Sequence, residues 1–127
     1  MDQSLLFHKL NDVAATVELP KGSILFQTGD AAEGVYLLRT GSAVLRWGTE
    51  PHVFLKESVG PGNIVGLLGA LNGVYNATAW LAEDANLGYV AISALNQLED
   101  SNPPVSRAIL ELIAYQVIRR RGVHRRA

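Results

Sequence analysis

Residues 19–45, LPKGSILFQTGDAAEGVYLLRTGSAVL, decide the fold. SILFQ, GVYLLRT and SAVL are apolar runs too short for helices and rich in Val, Ile, Leu, Phe and Tyr, which marks them as strands. The breaks between them carry turn chemistry, because Pro20-Lys21-Gly22, Thr28-Gly29-Asp30 and Thr40-Gly41 combine a fixed or permissive backbone with side chains that bond their own main chain. The spacing predicts a hairpin over GVYLLRTGSAVLRW, turning at Thr40-Gly41, after a loop that carries Glu33.

Upstream, Ser4 and Asn11 bracket a short helix, LLFHKL, expected to turn Leu5, Leu6 and Leu10 inward and His8 and Lys9 outward. VAATVEL follows as a strand. Downstream, Gly48 to Pro51 form a turn before the strand HVFLKES. Then comes a glycine-rich stretch, GPGNIVGLLGALNGVYNATAW, from Gly60 to Trp80. Its glycines let the backbone turn sharply and approach a neighbour closely. A short helix is expected at Leu67 to Leu71, whose first N–H groups lack intrahelical partners and can face an anion. There is no GxxxxGK, and Gly60, Gly62 and Gly66 miss GxGxxG by one residue, so turning the corners of a compact β fold explains these glycines without a ligand.

ATAWLAEDANLGYVAI reads as two further strands joined by Glu83-Asp84-Ala85-Asn86. Closely spaced strands of this kind suggest a β-roll or barrel rather than βαβ units. The period then becomes helical. Ser93 is placed to cap SALNQLED, and Asn102 before Pro103 is a good helix start, since proline at the first helical position gives up an N–H that had no partner. In the last helix Val105, Ile109, Leu112, Ile113 and Gln116 form one stripe, while Leu110, Ala114, Val117 and Ile118 form a second. One stripe serves the barrel. The second calls for another helix, most simply the same helix of a second copy.

At 127 residues the chain is one domain, about 1–127, long enough to bury a core without disulfides or metal. It is 48% hydrophobic and 18% charged, which argues against disorder. The absence of cysteine excludes disulfides, thiolate metal sites and a cysteine nucleophile, and makes a reducing cytoplasm the simplest location. No secretory signal or membrane span is visible, so no membrane partner is expected. Arg119, Arg120, Arg121, Arg125 and Arg126 place five of the 11 basic residues in a basic tail, 119–127, against 12 acidic residues in the body. The body therefore disfavours nucleic acid at long range, and the tail does the opposite.

The order of elements resembles the cyclic-nucleotide-binding domain of the catabolite-activator (CRP) and fumarate-nitrate-reductase (FNR) regulator superfamily. Gly22, Phe26, Gly29, Asp30, Tyr36, Leu38 and Gly41 fit that family's entry strands and hairpin. The resemblance runs from about Leu5 to about Arg121. It implies a mainly β jelly roll (a double-stranded β-helix, or cyclic-nucleotide-binding-like β-roll) over about 13–92, a short N-terminal helix, and C-terminal helices over about 93–121 that end in a dimerisation-type helix.

The resemblance also implies where a ligand would sit, at Gly66, Leu67, Leu68, Gly69, Asn76, Ala77 and Thr78. The family's cassette carries FGE-x-A-L and then a proline-arginine pair, with the glutamate on the ribose and the arginine on the cyclic phosphate. Here Val65, Gly66 and Leu67 stand in the first motif and Tyr75 and Asn76 in the second, with Ala77 where a serine or threonine often follows. Leu67 accepts no hydrogen bond and Asn76 brings no charge. Hydrogen bonds to charged groups contribute roughly 1.5–3 kcal/mol each, so two lost anchors weaken binding by about 10²- to 10⁴-fold. A cyclic nucleotide in the usual pose is disfavoured, and no cofactor is expected.

Some relatives of this family hold haem through a histidine. His52 would be the candidate, although a solvated strand histidine explains it more simply. Trp47, Trp80, Tyr75 and Tyr89 suit either a pocket for a planar ligand or the core of a small barrel. Arg119 to Arg121 suit a helix end complementing its dipole, or contact with a ligand or partner subunit. No catalytic motif is present, and the chain is not expected to be an enzyme. The expected function is a regulatory sensor or effector-binding module, homodimeric, with an unidentified small-molecule effector and no sequence-specific contact to nucleic acid. The alternatives are the effector half of a transcription regulator that binds cyclic AMP or another ligand, weak nucleic-acid binding through the arginine tail, and a structural dimerisation module with an empty pocket.

Overall fold

A computed structural model describes residues 3–48 and 55–126, with the side chains of the last helix described through residue 114. The elements in order are α1 (Gln3–Asn11), β1 (Ala15–Leu19), β2 (Ile24–Phe26), β3 (Gly34–Leu38), β4 (Ala43–Trp47), β5 (Leu55–Val59), β6 (Ile64–Val65), α2 (Leu67–Asn72), β7 (Thr78–Leu81), β8 (Ala85–Ala91), α3 (Ile92–Ser101) and α4 (Pro103–Arg126). The strands make two antiparallel sheets, ordered β1-β8-β3-β6 and β2-β7-β4-β5. First pairs with last, second with seventh, third with sixth and fourth with fifth. This is the expected jelly roll.

The hairpin expected over 34–47 does not form. β3 pairs with β8 and β6, and β4 with β5 and β7, so the turn at Thr40-Gly41 carries the chain from one sheet to the other. Its backbone bonds leave the would-be hairpin, since the N–H groups of Arg39 and Thr40 both donate to the Asn86 carbonyl, at 3.0 and 3.2 Å. Gly41 has φ 87°, and a Cβ there would meet the Asp84 carbonyl and Ala85. The β7–β8 connection changes sheets in the same way.

One core lies between the first sheet and the helices, built from Leu6, Leu10, Val35, Leu37, Leu95 and Ile109 with their neighbours. The interior of the roll holds the rest, with Phe26, Trp47, Val65 and Tyr75 towards one end and Leu38, Leu81 and Leu87 towards the other. Strand alternation sorts the side chains, because Val35 and Leu37 face the helices while Tyr36 and Leu38 face the roll.

Two local expectations need correction. Leu5 is 45% exposed, because Leu6 and Leu10, one helical turn apart, take the inward face of α1. Ser93 is not a cap: β8 runs straight into α3, Ala91 holds the cap position at φ −65°, ψ 153° without a side-chain bond, and the Ile92 N–H donates to the Glu33 carbonyl at 3.0 Å. Asn102 does open α4, its carbonyl accepting from Val105 N–H at 3.0 Å. The helix continues to Arg126, so the arginines of the tail lie on its backbone. No helix among the described residues is long and apolar enough to cross a membrane, which says nothing of spanning by strands.

Candidate functional site

The cassette is shaped by α2. Gly66 stands before it at φ 92°, a conformation that side chains resist, and no side chain caps the helix. A Cβ on Gly66 would approach Phe26 Cε2 at 3.1 Å and Tyr75 Cε1 at 3.2 Å. Those two rings explain the glycine. Phe26 and Tyr75 stack face to face, with centroids 3.9 Å apart and planes 9° apart. The Tyr75 hydroxyl donates to the Gly34 carbonyl at 2.7 Å, which pins the stack to the start of β3.

A cavity of about 100 Å³ lies behind the cassette. Of the residues expected at a ligand, Gly66, Leu67, Leu68, Gly69, Asn76 and Ala77 line it together. Thr78 lies outside this lining, where its Oγ1 accepts the Thr28 N–H at 3.1 Å and sits 3.2 Å from Thr28 Oγ1. Leu67 is 2% exposed and belongs to the core under the helices as well as to the cavity wall. Ala77 is buried while Asn76 is exposed, so the bend leading into β7 turns a methyl group inward and leaves the amide outward.

The remaining wall includes residues that sequence reasoning missed. Glu57, Asn63 and Leu112 line the cavity, the last reaching it from α4. Glu57 was readable, since Leu55, Glu57 and Val59 share one face of β5 by simple alternation. No lysine or arginine among the described residues lines this cavity. Trp47 and Tyr75 also take part, whereas Trp80 faces away from the interior between Arg46 and Lys56, whose charged ends lie 5.8 and 5.6 Å from its ring centroid. His52 lies outside the described residues.

A second, larger cavity of about 360 Å³ opens on the other side of the Phe26–Tyr75 stack. Phe26 and Tyr75 line both, and Tyr36, Tyr89, Asp30, Glu33, Leu25 and Ala31 complete the second. Tyr36 and Tyr89 are register partners across β3 and β8, with ring centroids 5.1 Å apart and planes at 57°. Burial first, then neighbouring Tyr75, pushes both phenols above the ordinary 10.0, and Glu33 adds to the shift in each, as Tyr89 does for Tyr36. Both are neutral at physiological pH.

In the second stripe of α4, Leu110 is 63% exposed and Ala114 is exposed, while the side chains of Val117 and Ile118 lie outside the described residues. The first stripe is buried at Val105 and Ile109 and partly buried at Leu112 and Ile113; the Gln116 side chain lies outside the described residues.

Comparison with known proteins gives a consistent picture. The model of the cyclic nucleotide-binding domain matches residues 16–102. Among solved structures, the Thermus thermophilus catabolite activator protein is similar at 20% identity and TM-score 0.77, over 91% of this chain and 55% of its own. The c-di-GMP-responsive global regulator CLP of Xanthomonas campestris is similar at 20% identity and TM-score 0.76, over 97% and 61%. A protein from a cyclic-GMP-dependent signalling pathway that regulates bacterial phytopathogenesis is similar at 24% identity and TM-score 0.78, over 94% of both chains. The chain thus spans little more than half the length of the first two. No curated protein is matched by sequence.

Proposed function

The chain belongs to the cyclic nucleotide-binding domain family, and we propose that within it the chain is a regulatory effector-binding module, homodimeric through α4, that does not hold a cyclic nucleotide in the family's usual pose. The observation that carries this reading is the cavity behind the cassette. At about 100 Å³ it lies below the roughly 300–1,000 Å³ of ordinary ligand pockets. The Phe26–Tyr75 stack takes up the adjoining space, and the charged side chain that lines the wall among the described residues is Glu57, an acid. Among the described residues, the wall offers a phosphate no lysine or arginine to replace the water it would lose.

Calorimetry with cyclic AMP and cyclic GMP at neutral pH is the test, with no low-micromolar binding expected. A dissociation constant in that range would overturn the reading and show that other anchors have replaced the lost ones. A second reading, that the chain is the effector half of a longer transcription regulator, is supported by its spanning 55% and 61% of two such proteins.

A further inference from the structure

The cavity on the far side of the Phe26–Tyr75 stack has a chemistry of its own. Its lining includes the rings of Phe26, Tyr36, Tyr75 and Tyr89: Tyr36 and Tyr89 meet at 57°, and Phe26 lies 6.4 Å from Tyr36 at 30°. The rings are fixed by packing rather than hanging in solvent. Tyr89 lies against Gly34, where a Cβ would come within 2.7 Å of its Cζ and Oη. Two carboxylates, Asp30 and Glu33, stand on the loop at the mouth, and Asp30 is held by the Gln27 N–H donating to its Oδ2 at 3.0 Å.

Carboxylates alone would make a solvated acidic patch. Here they share a cavity lining with four aromatic rings, so uncharged phenols and negative charge face one hollow. Aromatic faces attract cations through the ring quadrupole, and weakly hydrated cations gain most because they give up least water on entering. The volume of about 360 Å³ falls within the range of small-molecule sites. We propose that this cavity binds a small organic cation of the quaternary-ammonium class, seated against Tyr36 and Tyr89 with Asp30 and Glu33 as its countercharge. This site is distinct from the cavity behind the cassette, with which it shares the Phe26 and Tyr75 rings.

The test is a titration of the intact chain with choline chloride at constant ionic strength, followed by NMR, beside the uncharged isostere in which carbon replaces the nitrogen. Saturable binding of choline is expected, with the isostere at least about tenfold weaker. Tyr89→Leu and Glu33→Gln should each weaken choline by about 3- to 30-fold. Because Glu33 is exposed, Glu33→Gln leaves the fold intact and decides the matter even if Tyr89→Leu does not fold. Failure of choline to saturate, equal binding of the isostere, or unchanged affinity in Glu33→Gln would each overturn the proposal. The titration is made without cyclic nucleotide, so its outcome is read separately from the calorimetric test of the other cavity.

Discussion

Gly34 begins β3 with two rings resting on it. The Tyr89 ring crosses the space a side chain would take, and the Tyr75 hydroxyl donates to its carbonyl at 2.7 Å. A methyl group at this position would also press on the Val90 carbonyl, which is backbone in a paired strand and cannot swing aside. Gly34→Ala should therefore lower stability by about 1–3 kcal/mol, in the range of overpacked cores, and push Tyr89 out of place. Denaturant unfolding checks it; an unchanged midpoint would mean that β3 and β8 shift apart freely. Little of this was visible beforehand. Gly34 reads locally as the end of a loop, because its partners lie 41 and 55 positions further along the chain.

At the scale of the element, α4 has one face spent and one face open. Val105, Ala108 and Ile109 are buried against the helical core, while Leu110 projects to solvent. The second stripe was legible from spacing alone because helical periodicity is local, whereas the exposure of Leu5 depends on which face of α1 the sheet covers. Burying one Leu contributes about 1.5–3 kcal/mol. In a two-fold dimer both copies lose it, so Leu110→Asp should weaken association by about 10²- to 10⁴-fold and yield a monomer by light scattering, with the β-sheet circular dichroism unchanged. An unmodified chain already monomeric at high micromolar concentration would dispose of the dimer.

At the scale of the whole molecule, the pKa shifts among the described residues point upward. Tyr36, Tyr89 and Glu99 are raised above their ordinary values, chiefly by burial, with Asp100 adding to the shift of Glu99. A group with a raised folded-state pKa contributes stability below its unfolded value that is lost as pH rises through its folded value. The melting temperature should thus fall as pH climbs above 4.5 through the folded pKa of Glu99, and again in alkali above 10.0 as the tyrosines ionise. Glu99→Gln should melt higher than the unmodified chain at neutral pH and lose that advantage in acid below 4.5. An advantage independent of pH would show that the carboxylate's charge is not the cause.

That the chain forms a β-roll or barrel was legible, because strand periodicity and turn residues are written into short stretches such as 19–45, while the jelly roll itself followed from the family resemblance. The sheet to which each strand belongs was not, since the change of sheet at Gly41 is decided by Asp84, Ala85 and Asn86, far along the chain. The Phe26–Tyr75 stack is another such distant meeting, and it forms part of the lining of both cavities. Were an occupant of one cavity to displace the stack, the affinity of the other would change, and by the same factor in both directions, because a coupling free energy between two sites is reciprocal.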